Sequence, residues 1–220
     1  MPKQPLAHRI PFGEFDYQIL LTALSDYKRP RDRITRLLNQ GVIIRVKKGL
    51  YVFGDAYRRT PVRMEILANL IYGPSYVSLE YALQHHGLIP ERVEAVTSVT
   101  VGRSRDFSTP LGRFTYRTVP LTAFRTGVER VEIEHGRAFL LAVPEKALAD
   151  KLYADKVSLR TQRDILAYLD EDLRIDEASI RSLRADRLRD YAERYRSRKI
   201  RLLASLVERL NNPRGGHVHA

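Results

Sequence analysis

Apolar residues near the amino terminus recur every three or four positions in two successive segments, which is the period of an amphipathic helix. The first predicted helix covers residues 17–26 and follows Asp16, a residue type that caps helices. The second covers residues 31–40, between Pro30 and Gly41. Proline suits the first turn of a helix and glycine its carboxyl end. The short link between the two helices predicts a helix-turn-helix.

The residues directly after the second helix predict a β-hairpin. Residues 42–53 form two β-prone runs around a Lys-Lys-Gly turn, in which Gly49 supplies the positive φ of a tight turn. A hairpin with a basic tip directly after a helix-turn-helix is typical of a wing. We therefore expect residues 1–60 to form a winged helix-turn-helix domain.

Farther along the chain, the apolar period changes to two and then returns to helical spacing. Two helices, at 63–72 and 79–86, precede four strands, which are predicted at 96–101, 113–119, 128–134 and 139–143. They predict a mixed α/β domain with a mainly antiparallel sheet over residues 61–155. Five later helices are predicted at 145–154, 161–169, 177–183, 187–195 and 199–210. Residues 156–220 are thus expected to be a helical extension packed on the preceding domain, and the whole chain to be α+β.

The charge of the chain favours a polyanionic partner. Lys and Arg number 38 against 26 Asp and Glu, a net charge of +12. Residues 1–60 carry 12 basic and 5 acidic residues, residues 61–150 carry 10 of each, and residues 151–220 carry 16 and 11. Two basic ends therefore flank a neutral middle, and the partners that such a surplus of positive charge favours are DNA, RNA and an anionic membrane surface.

The second predicted helix presents polar side chains on the face opposite its apolar stripe. These outward-facing residues are Asp32, Arg33, Thr35, Arg36 and Asn39. We expect Arg33 and Arg36 to donate in pairs to guanine, and Asn39 to pair with adenine. The cations of the hairpin, which suit phosphates, are Arg45, Lys47 and Lys48.

The other charged clusters are open to two interpretations. Arg103, Arg105, Arg113 and Arg117 either continue the DNA contact or form a solvated face. The arginines of residues 181–201 form either a second nucleic-acid surface or exposed helix faces with acidic partners.

The chain shows no motif for catalysis, a metal or a cofactor. It has no cysteine, no Walker-type loop, no GxSxG elbow and no HExxH helix. His85 and His86 are neighbours on a predicted helix and point in different directions, so they do not easily share a metal ion. No apolar run is long enough to span a membrane and no secretory signal is evident. We expect a cytoplasmic protein that is not an enzyme; the alternatives are a basic nuclease and an RNA- or protein-interaction module.

Five segments resemble the AbiEi-type antitoxins of type IV toxin–antitoxin (abortive-infection) systems. They are residues 34–41 (ITRLLNQG), 45–51 (RVKKGLY), 76–83 (YVSLEYAL), 86–90 (HGLIP) and 143–150 (VPEKALAD). Together with their order and spacing, these segments indicate a resemblance that extends over the chain from Tyr17 to about Asp155. The first helix of the family's winged domain is expected to be either missing or reduced to residues near 6–10.

The resemblance implies a winged-helix repressor that binds repeats in its own promoter and counters a nucleotidyltransferase-type toxin without requiring direct contact. The family's DNA-contacting helix and wing correspond to residues 31–40 and 45–48. This correspondence adds Arg31 and Gln40 to the predicted DNA-binding residues.

Overall fold

Two β-sheets, one of three strands and one of six, organise residues 5–212. The computed structural model describes residues 5–212. Residues 1–4 and 213–220, at the outer ends of the predicted domains 1–60 and 156–220, lie outside the described residues. Within residues 5–212, no helix has both the length and the apolar composition needed to cross a membrane. The prediction of an α+β protein is confirmed.

The amino-terminal part combines three helices with the smaller sheet. Its elements are α1 (Leu6–Arg9), β1 (Glu14–Asp16), α2 (Tyr17–Ala23), α3 (Pro30–Asn39), β2 (Ile43–Lys47) and β3 (Leu50–Phe53). The strand order is β1-β3-β2, and both pairings are antiparallel. The Asp16 carboxylate accepts a hydrogen bond from the Ile19 amide at 2.8 Å and so caps α2 as predicted. Gly49 turns the hairpin with a φ of +86°.

The smaller sheet is buried on both faces. In β3, Tyr51 and Phe53 pack into one apolar cluster with the helices, whereas Leu50 and Val52 belong to the core of the larger part of the molecule. Successive side chains of a strand point to opposite faces, so β3 alone contributes to two cores. This explains why all four of its residues are buried.

The larger sheet is mixed. Its strands are β4 (Ser75–Val77), β5 (Val96–Thr100), β6 (Arg105–Thr109), β7 (Gly112–Thr118), β8 (Val128–Glu132) and β9 (Ala138–Ala142). Their order across the sheet is β6-β7-β5-β4-β9-β8. The pairs β4–β9 and β5–β7 are parallel, and the other three are antiparallel. Antiparallel strand pairs are therefore the majority, as predicted, but only by three to two.

Eight helices complete the described part of this region. They are α4 (Met64–Ile71), α5 (Leu79–His85), α6 (Leu121–Phe124), α7 (Pro144–Ala154), α8 (Gln162–Ala167), α9 (Glu177–Ser182), α10 (Ala185–Tyr195) and α11 (Arg198–Asn211). A short 3₁₀ turn lies at Glu134–Gly136, and a π-helical turn at Tyr168–Asp172 extends α8.

Helices α4 and α7 lie on opposite faces of the larger sheet. The Tyr116 hydroxyl donates to the Ala68 carbonyl of α4 at 2.6 Å, and the Tyr76 hydroxyl donates to Asp150 of α7 at 3.1 Å. Tyr116 and Tyr76 are paired with neighbouring residues of β5, Ser98 and Val99, whose side chains point in opposite directions.

Helix α7 lies at the centre of the core on its side of the sheet. Both α10 and α11 pack on it, and their apolar residues join those of α7 and the sheet in one hydrophobic cluster. Residues on both sides of position 155 therefore share a core.

Candidate nucleic-acid interface

The outer face of α3 is exposed along the whole helix. Arg31 and Arg36 lie on this face, and their guanidinium groups have no ion pair or hydrogen bond within the described part of the chain. Thr35, also exposed, donates its hydroxyl to the Arg31 carbonyl at 3.3 Å. The inner face carries Ile34 and Leu37, which are buried. An amphipathic helix thus presents two free guanidinium groups to solvent.

Asp32 lies in the first turn of α3, where the helix dipole favours a carboxylate. It also lies 3.9 Å from the guanidinium of Arg29, which is still more exposed. Both features stabilise the start of α3 and leave Asp32 on the surface beside the free cations.

Arg33 is turned towards the interior of the amino-terminal part. Its guanidinium carbon lies 5.5 Å from the centre of the Tyr27 ring, and its Nε is buried without a hydrogen-bond partner among residues 5–212. The side chain also lines a cavity of about 140 Å³ with Leu24 and Leu37. A base contact by Arg33 stays a prediction, and it requires the guanidinium to leave Tyr27.

Asn39 and Gln40 lie at the carboxyl end of α3, and both are exposed. They are about 12 Å along the helix axis from Arg31, at 1.5 Å per residue. The two amides and the arginines of the first turns therefore mark the two ends of one exposed surface.

The hairpin presents two of its three predicted cations to solvent. Arg45 is exposed and is paired in the ladder with Tyr51, so it lies on the face of the sheet that the helices cover. Lys48 is exposed at the turn. The turn itself is held near the start of α2, because the Tyr17 amide donates to the Gly49 carbonyl at 3.0 Å.

Lys47 points away from this surface. Its ammonium group donates to the carbonyl of Ile71, the last residue of α4. Partial burial there lowers the pKa of Lys47. A positive charge at the carboxyl end of a helix is stabilised by the helix dipole. A phosphate contact by Lys47 stays a prediction, and it requires the ammonium group to leave α4.

The other end of α4 is held by a carboxylate of the amino-terminal part. Glu14 accepts the Arg63 amide at 2.9 Å, directly before α4, and accepts from Arg137 at 2.6 and 2.8 Å. The side chains of Glu14 and Arg137 are only 3% and 9% exposed. An acid at the amino end and Lys47 at the carboxyl end thus complement the dipole of α4. These contacts fix the smaller sheet against the larger part.

Five exposed cations of the helix-hairpin region remain free. They are Lys28, Arg31, Arg36, Arg45 and Lys48. None of their side chains has an ion pair or hydrogen bond within residues 5–212. Lys28, in the link between α2 and α3, was missing from the predicted set because the link was interpreted only as a turn. Its position between the two predicted helices was the signal in the sequence for including it among the DNA-binding residues.

Of the four arginines that were predicted as a separate cluster in the middle region, two have local partners. Arg117 lies 2.7 Å from Asp106, and Arg105 lies over the ring of Tyr72. Arg103 and Arg113 are exposed.

A charged network lies within the core, where sequence reasoning did not place one. Lys146 and Asp150, one turn apart on α7, form an ion pair in which both side chains are fully buried. Asp150 also accepts from the hydroxyls of Ser78 at 2.5 Å and Tyr76 at 3.1 Å. Tyr195 contacts both charged groups and accepts from Lys146 at 2.5 Å.

Aromatic rings surround the ammonium group of this network. The rings of Tyr195, Tyr76 and Tyr191 have their centres 4.8, 5.2 and 6.0 Å from Lys146 Nζ. Burial lowers the pKa of Lys146, and the adjacent Asp150 carboxylate opposes this change. Burial and the same carboxylate raise the pKa of Tyr195. The network joins α7, α10 and β4, and its complete burial gives it a role in the fold. Its signal in the sequence was a Lys and an Asp four residues apart in an otherwise apolar segment.

A cleft of about 610 Å³ lies on the α7 side of the sheet, and three of its charged side chains form ion pairs with one another. Lys151 bridges Glu80 at 2.7 Å and Asp155 at 2.9 Å. Within residues 5–212, no group of three or more His, Asp or Glu side chains is arranged to hold a metal ion.

The free cations of the α2–α3 link, α3 and the hairpin thus form an exposed group of unpaired charges in the amino-terminal part. Their arrangement suits an extended anion better than a small ligand, because they lie along a surface and do not converge in a cavity. In comparisons with known proteins, no family model and no curated protein matches this chain.

Proposed function

We propose that residues 6–53 form a winged helix-turn-helix that binds duplex DNA, with α3 in the major groove. The observation that carries this proposal is the exposed, unpartnered set of Lys28, Arg31, Arg36, Arg45 and Lys48. The order of elements supports it, since a helix, a strand, two helices and a hairpin precede residue 54. A helix-turn-helix inserts its second helix into the major groove, and a hairpin beside it contacts the backbone.

The side chains divide between base and phosphate contacts. Arg36 projects freely from the middle of α3 and is our first candidate for a paired contact with guanine. Arg31, Asn39 and Gln40 extend the same exposed face. The cations outside α3, which suit phosphates, are Lys28, Arg45 and Lys48.

We infer the biological role from the resemblance to AbiEi-type antitoxins. In this proposal, the protein represses its own operon in the cytoplasm by binding promoter repeats, and it counters a nucleotidyltransferase-type toxin. The support consists of the five segments that carry the resemblance. Two of them, residues 34–41 and 45–51, include these members of the proposed DNA site: Arg36, Asn39, Gln40, Arg45 and Lys48. Direct contact with the toxin is not required.

A salt titration tests the DNA-binding proposal. The full chain is titrated against labelled duplex from its own upstream region, with a scrambled duplex as control, and binding is measured by fluorescence anisotropy at several salt concentrations. Five neutralised phosphates give a log–log slope of about −4.5. The upstream duplex is expected to bind more tightly than the scrambled one. A shallow slope, or equal affinities together with cleavage of the duplex in Mg²⁺, would contradict the proposal.

A co-expression assay tests the antitoxin role separately. The neighbouring open reading frame is expressed with and without this chain, and growth is measured. Growth rescue by the wild type and by an Arg36→Ala variant is expected, because toxin neutralisation in this proposal does not use the DNA-reading side chain. Absence of toxicity from the neighbouring gene would contradict the antitoxin role and leave the DNA-binding test unaffected.

A further inference from the structure

Two segments of the carboxyl-terminal region lie side by side and form one surface. Tyr153 packs against Tyr195 with ring centres 4.8 Å apart. Lys199 Nζ donates to the Asp155 carbonyl at 2.6 Å, and Arg198 donates to the Arg160 carbonyl at 3.3 Å. Three contacts therefore join residues 153–163, which end in α8, to residues 195–201, which begin α11.

This surface has a large excess of positive charge. The two segments contain seven basic residues and one acidic residue, Asp155. That carboxylate is already engaged, because it lies 2.9 Å from Lys151 and accepts the Tyr168 hydroxyl at 2.5 Å. We call the six exposed cations the C-terminal basic surface: Lys156, Arg160, Arg163, Arg196, Arg198 and Arg201.

None of these six cations has a carboxylate oxygen within 4 Å among residues 5–212, whereas nearby arginines do. The paired arginines of the same region are Arg181, Arg184, Arg187, Arg189 and Arg194, each within 4 Å of an Asp or Glu. The other carboxylates closest in sequence are Asp164 and the exposed Glu193. Asp164 accepts the backbone amides of residues 160 and 161 and interacts electrostatically with Arg163. The two interpretations of the carboxyl-terminal arginines therefore apply to different residues. The five arginines of residues 181–194 are all ion-paired, whereas those of residues 196–201 have no carboxylate within 4 Å.

Exposed apolar side chains lie within the same surface. Tyr153 is 38% exposed and Val157 is 40% exposed. A duplex keeps its bases stacked inside, but a single strand exposes base faces that stack on aromatic rings between cationic side chains. We propose that the C-terminal basic surface, with Tyr153 as its stacking platform, binds single-stranded nucleic acid.

This surface is separate from the proposed DNA-binding helix. The amino-terminal part is held at both ends of α4, through Glu14 and Lys47. The C-terminal basic surface is built from the end of α7 and from α8 and α11. Helices α4 and α7 lie on opposite faces of the larger sheet, so we expect the two surfaces to bind independently. The inference thus goes beyond the function proposed above.

Anisotropy titrations of the full chain with labelled oligouridine and oligothymidine at low salt test the proposal. The wild type binds at least one of them, and the difference between RNA and DNA identifies the preferred source. Tyr153→Ala weakens binding by about tenfold, whereas Tyr153→Phe, which keeps the ring, retains it. The double variant Arg160→Ala/Arg198→Ala lowers the log–log salt slope by about 1.4.

Matched controls separate this surface from the other charged regions. Arg194→Ala, which removes a paired arginine, leaves single-strand binding unchanged, as does Arg36→Ala on α3. Circular dichroism verifies that each variant is folded. The proposal is overturned if the double variant binds like the wild type, if Tyr153→Ala has no effect in a folded protein, or if a duplex or polyglutamate displaces the single strand more effectively than unlabelled oligonucleotide.

Discussion

The free cations of residues 28–48 and the cation Lys146 have the same charge but lie in opposite surroundings. Arg36 and Lys48 are exposed and have no partner in the described structure. Lys146 is fully buried, pairs with Asp150 and is surrounded by tyrosine rings. A solvated, unpaired cation contributes little to stability and is available to bind an anion. A buried one stabilises the fold only with all its partners in place.

The buried pair gives the largest expected effect. Asp150→Asn removes the negative charge and leaves the ammonium of Lys146 with neutral partners in the core. Breaking a buried pair in this way costs about 3–5 kcal/mol of unfolding free energy. Urea denaturation measures the change, and total stabilities of about 5–15 kcal/mol make it a large fraction of the whole.

The double variant Lys146→Met/Asp150→Leu sharpens this test. It removes both charges together, so its cost is expected to be smaller than the sum of the two single replacements. If the Asp150→Asn protein unfolds at the same urea concentration as the wild type, then the buried pair does not hold α7 in the core.

The next effect concerns affinity and comes from α3. Arg36→Ala is expected to weaken operator binding by about 1–3 kcal/mol and to relax sequence preference, because a paired contact with a base is lost. Arg33→Ala is its internal comparison, since Arg33 lies against Tyr27 and lines a cavity. The Arg33 change is expected to lower the urea midpoint of unfolding and to have little effect on the sequence preference of DNA binding. Anisotropy with single-base operator variants distinguishes the two, and an equal loss of preference would assign Arg33 to base contact after all.

The sequence predicted most elements of the fold because their apolar periods are local properties. Helices α3 and α10 appear within one or two residues of the expected positions. Three strands escaped prediction. Strand β6 lies at the edge of the sheet with only its central Phe107 packed against the core, so its alternation is weak. Strands β1 and β4 have three residues each, too few to show a period.

The candidate site was less predictable, because the direction of a long side chain depends on its neighbours in space. The helical period predicts that Arg33 and Arg36 share the outer face of α3. The contact between Arg33 and the ring of Tyr27 arises only in the folded chain. Lys47 and Lys48 are adjacent in the turn, yet Lys47 contacts the end of α4, which lies 24 residues farther along the chain. No local pattern contains that contact.

These two neighbouring lysines provide the third prediction. Lys47→Met removes a positive charge from the carboxyl end of α4 and is expected to cost about 1 kcal/mol of unfolding free energy. Lys48→Ala is expected to leave stability unchanged and to lower the log–log salt slope of DNA binding by about 0.9. Urea denaturation and salt titration on the same two proteins measure both quantities. The opposite assignment, with stability lost in the Lys48 variant, would reverse the roles of the two residues.

Paired arginines on the carboxyl-terminal surface are expected to show the smallest effect of all. Arg194 lies 2.6 Å from Asp190 at the protein surface, where solvent screens the pair and its long side chains lose freedom on pairing. Arg194→Ala is therefore expected to leave the urea midpoint unchanged and to alter affinity for duplex and single-stranded probes by less than about twofold. Arg194 is neither buried like Lys146 nor unpaired like Arg36, so we expect it neither to stabilise the fold nor to bind an anion. A clear loss of affinity in this variant would mean that ion pairing on the surface does not separate binding cations from the rest, and net charge alone would then explain the binding.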